Sequence, residues 1–404
     1  MYKKGLRCTV CTGCGQCPGI SRQLHIVTNP LEKATVDLRS AEKLRLITAD
    51  VGTTTIAMQL HNEDGGVADT FVSVNPQVKY GADVLSRIAA ARQPAVAEEM
   101  RRLVLAELEK GIVQFQKHLS KEEKPLMVLA ANTTMVYLLM GWEPQEIGCA
   151  PFTAKRLDAL CTEIAGIACY IFPGLSAFVG GDIVAGIYAC HIPIQEKRTL
   201  LIDLGTNGEM VLGNREKLIA CATAAGPAFE GGVNRGIWGA DMIHLLAEML
   251  KGGLMDENGL IAEPYFETGV RIGNVTVTQE AVRAVQLAKA AIATGIKILC
   301  RHYGCEISEI DRMVLAGGFG YYLSPTDAEA IGLLPKELAA RTVTGGNTAL
   351  AGALTIGEKL IQGADFTEET AIGKSIACSL EILNLAEVDS FETEYLEAMK
   401  FAGL

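Results

Sequence analysis

Two short segments join a carboxylate, a glycine and hydroxyl side chains at the end of an apolar run: Asp50-Val-Gly-Thr-Thr-Thr55 and Asp203-Leu-Gly-Thr-Asn-Gly208. A carboxylate that closes a strand can hold a hydrated Mg²⁺, which keeps several of its waters. Glycine lets backbone N–H groups approach a phosphate, and the threonine hydroxyls add donors. Either segment alone is also what an ordinary hairpin with a polar turn would show. Two such hairpins facing each other make a clamp on a triphosphate. Lysine and arginine are absent from both turns, so phosphate charge must be met mainly by backbone dipoles and the metal. A third element, Gly317-Gly-Phe-Gly320, follows the apolar run Met313–Ala316 and removes side chains where a flat ligand must lie close to the chain.

A second chemistry sits at the N-terminus. Cys8-x₂-Cys11-x₂-Cys14-x₂-Cys17-Pro18 is dense and glycine-rich, and thiolates so close together have no core to pack against. The spacing resembles the bacterial ferredoxin run, one residue shorter before the last cysteine. It reads as a [4Fe–4S] site in which all four thiolates bind one cubane or one ligand is spare. Another iron–sulfur form, a Cys₄ zinc site and an unmetallated thiol group are the alternatives. Zinc ribbons separate two knuckles by about a dozen residues or more, whereas this run is continuous. A ligand loop this short, near a symmetry axis, is also compatible with a cluster shared across a homodimer.

These groups require strands that end in turns. From Leu44 onward short apolar strands alternate with longer helical patterns, which argues for an α/β architecture. Leu46–Asp50 and Thr55–Leu60 read as strands around the first turn, and Leu200–Asp203 opens the second hairpin. A helix is predicted over Ala97–Leu119, with Val104, Leu108, Ile112, Phe115 and Leu119 on one face. Another is predicted over Thr278–Cys300 from its Thr-Gln-Glu start. Three motif pairs recur in the same order in both halves: the two carboxylate hairpins, Leu129-Ala-Ala-Asn132 with Leu315-Ala-Gly-Gly318, and Gly180-Gly-Asp182 with Gly345-Gly-Asn347. Together they predict an internal duplication. The expected domains are a cysteine-rich segment and linker (1–43), a first lobe (44–198) and a second lobe (199–404).

The 404 residues are 49% hydrophobic and 21% charged, which describes a well-packed protein with little disorder. A formal charge of −11 without a long basic block argues against nucleic acid as a partner. No signal-peptide pattern opens the chain, and no run of membrane-spanning length escapes interruption, so a soluble cytoplasmic protein with no membrane partner is expected. The eight cysteines outside the run (Cys149, Cys161, Cys169, Cys190, Cys221, Cys300, Cys305 and Cys378) lie in apolar surroundings and read as reduced core residues.

The three glycine-bearing elements match the two phosphate motifs and the adenosine motif of the actin/Hsp70/sugar-kinase superfamily. Within it, Asn75-Pro-Gln with Tyr80-Gly-Ala-Asp-Val-Leu-Ser-Arg87, Asn132-Thr-Thr-Met135, Thr223-Ala-Ala-Gly-Pro-Ala-Phe-Glu-Gly231 and Gly317-Gly-Phe-Gly with Ile331-Gly-Leu-Leu-Pro335 resemble the reductive activators of corrinoid-dependent enzymes. The resemblance covers about residues 45–404 and implies a duplicated, ribonuclease H-like fold with two lobes around a nucleotide cleft. It implies that Asp50 and Asp203 organise Mg²⁺ and the attacking water. Gly52, Thr53, Thr54, Gly205, Thr206 and Asn207 would hold phosphates, and Gly317 and Gly318 would approach the adenosine. Glu209 and Glu230 are further carboxylates for water positioning or for structure alone. Gln286 and Lys289 would reach adenine or ribose, or else lie on the surface of an amphipathic helix.

The resemblance also implies an ATPase coupled to electron transfer, in which a reduced donor such as ferredoxin feeds the cluster and a corrinoid protein is taken from Co(II) to Co(I). Many of those activators carry a plant-type [2Fe–2S] domain ahead of the ATPase, whereas this chain has about 40 residues and a different cysteine pattern there. Another low-potential metalloprotein client, a small-molecule kinase and an ATP-switched binding protein are the other readings.

Overall fold

The apolar stretch after Lys43 forms β1 (Leu44–Val51), turns at Gly52–Thr54 and returns antiparallel as β2 (Thr55–His61), and β3 (Val67–Val74) continues the meander. The computed structural model describes residues 44–205, 207–226, 228, 239–273, 275–364 and 380–401. The four clustered cysteines, Thr206, Glu230 and Cys378 lie outside the described residues. Helices α1 (Val84–Ala90) and α2 (Pro94–Phe115) lead to β4 (Lys124–Ala131), which lies parallel to β1 on its free side. Leu126–Ala131 is buried throughout, as a strand covered on both faces must be. Then come α3 (Thr133–Met140), β5 (Leu160–Ile164), β6 (Ile167–Ile171) and α4 (Gly181–Ala189), with β6 parallel to β4.

The plan then repeats. β7 (Thr199–Leu204), β8 (Gly208–Gly213) and β9 (Leu218–Thr223) form a second antiparallel meander. Next come α5 (Gly239–Lys251), the ribbon of β10 (Val270–Ile272) and β11 (Val275–Val277), and α6 (Gln279–Tyr303). β12 (Arg312–Ala316) lies parallel to β7, and α7 (Gly317–Tyr322) and α8 (Pro325–Ala330) lead to β13 (Thr342–Gly346). α9 (Thr348–Ile361), β14 (Leu380–Ile382) and α10 (Phe391–Ala398) follow.

The sheets run β3-β2-β1-β4-β6-β5 and β13-β12-β7-β8-β9-β14. Without the edge strands β5 and β14, both are a three-stranded meander extended by two parallel strands. This is the duplicated α/β, ribonuclease H-like plan of actin-like proteins. The registers agree: Asp50 pairs with Ala130 across β1 and β4, and Asp203 pairs with Ala316 across β7 and β12.

Two cores result. One gathers residues 44–191 and 347–364, the other 192–346 and 381–401. This departs from a contiguous division at 198/199, because α9 packs on α4, β1 and β4 and is built into the first core. α2 buries Met100, Val104, Leu108, Ile112 and Phe115 and stops at Phe115, where the exposed Gln116–His118 tightens into a 3₁₀ turn short of the expected Leu119. α6 starts where the sequence predicts, with Thr278 Oγ1 accepting from the Ala281 N–H, and ends at left-handed Gly304. Cys169, Cys190, Cys221 and Cys300 are core residues, and Cys305 is partly buried. Cys149 and Cys161 are exposed instead; Cys161 stands on the outward face of edge strand β5. Among the described residues no helix is long and apolar enough to cross a membrane.

Candidate functional site

In the first unit, Asp50 stands at the end of β1, and its Oδ2 accepts a 2.7 Å hydrogen bond from Asn347 Nδ2. Asn347 also caps α9, its Oδ1 accepting from the Leu350 N–H at 2.8 Å. Asp182, in the first turn of α4, adds its charge to the same place. Burial pushes the Asp50 carboxyl up to about 7, with the Asn347 bond opposing and the Asp182 charge reinforcing. Burial pushes Asp182 up to about 6 against the pull of nearby backbone N–H groups, including that of Ile183. Carboxyls that resist ionisation in each other's presence are groups a hard divalent cation would discharge. Among the described residues no three His, Cys, Asp or Glu side chains gather into a metal site. The carboxyl oxygens of Asp50 and Asp182 are hard donors of the kind Mg²⁺ takes together with substrate phosphates.

The turn after Asp50 is held from behind. Gly52 N–H donates to Thr55 O at 2.9 Å, and the Asn75 N–H donates to Thr54 O at 2.8 Å. Asn75 Nδ2 donates to Gly52 O at 2.8 Å, and Arg87 Nη2 donates to Thr53 O at 2.6 Å. Asn132, the cap of α3, donates from Nδ2 to Thr53 Oγ1 at 3.1 Å. A Cβ on Gly180 would come within 2.5 Å of Asn132 Cα, so the chain ahead of α4 is pressed onto the start of α3. Helices α3, α4 and α9 thus all begin around Asp50–Thr54. Their N-termini carry partial positive charge, which supplies what a turn without lysine or arginine lacks.

In the second unit, Asp203 is the penultimate residue of β7 and lies directly opposite Glu209 on β8. Such cross-strand partners share a face, with Cβ atoms about 5 Å apart. The first hairpin has Ala57 at the place of Glu209, so this carboxylate pair belongs to the second hairpin alone. Gly205 N–H donates to Asn207 O at 2.9 Å just after β7. Gly317, at φ +81°, follows Ala316 into α7, and a Cβ there would stand 2.7 Å from both Asp203 Oδ1 and Leu204 O. Gly317 and Gly318 therefore open α7 beside Asp203, which a side chain at Gly317 would block.

For Gln286 and Lys289 the expectation is a place either at the adenosine or on the surface of α6, and the surface alternative does not hold. Both are buried on α6 and hold the C-terminal segment. Gln286 Nε2 donates to Met399 O at 2.8 Å and to Asn258 O at 3.0 Å. Lys289 Nζ donates to Ala398 O at 2.8 Å and to Lys400 O, and lies 5.1 Å from the centre of the Phe401 ring. Sequence reasoning passed over Asp182, Asn347, Asn75, Arg87 and Asn132 as site residues. Their signal was present, in the paired Gly-Gly-Asp and Gly-Gly-Asn motifs and in the Asn75–Arg87 and Asn132–Met135 segments.

The RACo middle region matches residues 46–195, and the C-terminal domain of RACo, the ASKHA domain, matches residues 197–235 and 232–403. This chain belongs to the RACo family. It is 30% identical over 375 residues to the corrinoid activation enzyme RamQ of Eubacterium limosum, covering 76% of this chain and 63% of that protein. It is 26% identical over 283 residues to the [Co(II) methylated amine-specific corrinoid protein] reductase of Methanosarcina barkeri, covering 55% and 50% respectively. The chain therefore spans less than two thirds of the length of these relatives. The solved structure of a reductive activator for corrinoid, iron–sulfur protein superposes with a TM-score of 0.77 at 30% identity, over 90% of this chain and 67% of that one.

Proposed function

We propose that this chain is an ATP-dependent reductive activator that passes low-potential electrons to a corrinoid protein, Co(II) to Co(I). The observation that carries the reading is Asp50, set with Asp182 and Asn347 beside a turn whose carbonyls are pinned behind it. Asp50 and Asp203 would organise Mg²⁺ and the attacking water, with Asp182 close to the first and Glu209 opposite the second. Gly52, Thr53, Thr54, Gly205, Thr206 and Asn207 would hold phosphates, and Gly317 and Gly318 would leave room for the adenosine. A [4Fe–4S] cluster at Cys8, Cys11, Cys14 and Cys17 supplies a one-electron store when bound, filled by a donor of the ferredoxin class. The names of the RamQ, methylated-amine reductase and corrinoid activator relatives support the choice of client.

The energy required is moderate. Shifting a one-electron potential by about 240 mV takes on the order of 5.5 kcal/mol. A two-state equilibrium moved from 1:99 to 99:1 involves the same amount. A protein whose grip on its client differs by that much with and without nucleotide suffices. Reduced, metal-replete protein mixed anaerobically with a cob(II)alamin-loaded partner is expected to yield the Co(I) spectrum only when Mg-ATP is present. The same yield without nucleotide, or no affinity for adenine nucleotides by calorimetry, would sink the reading.

A further inference from the structure

We propose that Arg87 is a positioning residue for phosphate binding, holding the Gly52–Thr54 turn from beneath so that its amides face the ligand. The inference rests on the reading of that turn as a phosphate site. Arg87 lies on α1 and is fully buried. Its Nε donates to Gly81 O at 3.0 Å and its Nη2 to Thr53 O at 2.6 Å, while Nη1 reaches Gln77 Oε1 at 3.4 Å and Met135 Sδ at 3.5 Å. Taking a guanidinium out of water is costly, so its fork must be engaged on several sides. Lysine has no fork and cannot span Gly81 O and Thr53 O together.

A trans peptide places each carbonyl opposite the following N–H. With Gly52 O held by Asn75 Nδ2 and Thr53 O held by Arg87, the N–H groups of Thr53 and Thr54 are directed away from those donors. Asn132 Nδ2, bonded to Thr53 Oγ1, orients the hydroxyl as well. Arg87 also sets a positive charge under a turn that has no basic residue of its own. Asp83, which caps α1, shares that charge: against the desolvation that opposes it, bonds from Ser86 and Leu85 and the Arg87 charge hold its carboxyl below the ordinary range. The segment from Asn75 to Arg87 thus reads as the buttress of the turn, with Gln77 joined to both ends.

The test is calorimetry of Mg-ATP, Mg-ADP and adenosine on wild-type, Arg87→Lys, Arg87→Ala and Asn75→Ser full-length proteins. Arg87→Lys is expected to weaken both nucleotides by about tenfold or more while leaving adenosine within about twofold. Millimolar guanidinium is expected to restore nucleotide affinity to Arg87→Ala without changing that for adenosine. Asn75→Ser, which frees Gly52 O, is expected to show the same phosphate-selective loss. Wild-type affinity for Mg-ATP in Arg87→Lys, or an equal loss for adenosine, overturns the proposal. Should the Arg87 variants not fold, unchanged nucleotide binding by Asn75→Ser overturns it. A wild-type protein that binds no adenine nucleotide fails the reading of the site instead.

Discussion

At the end of β1 two carboxyls and an amide meet, and burial makes the meeting tense. Asp50 keeps its proton in the folded state up to about pH 7, whereas an ordinary aspartate releases it near 3.8. The stability that this proton contributes is complete below the unfolded value and is lost as pH rises through the folded one. Asp182, raised to about 6, acts in the same direction. Chelated, nucleotide-free protein should therefore melt at a lower temperature at about pH 8 than at about pH 5.5. Asp50→Asn, with no proton to lose, should flatten most of that slope and weaken Mg-ATP binding by about tenfold or more. Melting curves across this range, with nucleotide titrations beside them, check both effects. An unchanged slope in the variant would contradict the described environment of Asp50. Loss of ligand affinity with gain of stability is the usual exchange at a site built for a charge it does not yet hold.

Among the elements, α6 shows how a polar side chain on an apolar helix face can be spent on architecture. Lys289 and Gln286 hold the main chain at residues 398–400, and α10 packs on α6 beside them. Burial, reinforced by the Lys297 charge, pushes the Lys289 amine down to about 7 from 10.5. The unfolded chain then binds the proton more tightly than the folded one, so stability rises with pH between these values and the cost is fullest below 7. Relative to Lys289→Met, the wild type should gain more than about 1 kcal/mol between about pH 7 and pH 9.5. Denaturant melts at the two pH values measure this. A constant difference would mean that Lys289 does not titrate in a buried place. The helix itself was legible, because its Thr278 cap and apolar period are local signals. The partner of Lys289 was not, because the carbonyls it meets lie more than a hundred residues along the chain.

For the molecule as a whole, the duplicated cores and the cysteine run are expected to be separable in function. The first strand, β1, begins at Leu44, well beyond Cys17 in the sequence. If the proposed function holds, Cys11→Ser loses bound iron and cobalt reduction while keeping Mg-ATP affinity within about twofold. Iron and sulfide analysis with calorimetry on the same anaerobic sample decides it, and joint loss of iron and nucleotide binding would tie the two parts together.

The amino-acid sequence alone determined the α/β class, the duplication, the two carboxylate hairpins and the α6 start, because strand period, capping and glycine turns are written within a few neighbouring residues. Tertiary structure alone decided four things. α9 is built into the first core rather than the second. Asn347 meets Asp50 from 297 residues away. Arg87 reaches under Thr53, and Gln286 and Lys289 turn to the C-terminus. Each of these depends on which buried donor finds which acceptor once the sheets have formed, and no local pattern encodes that choice.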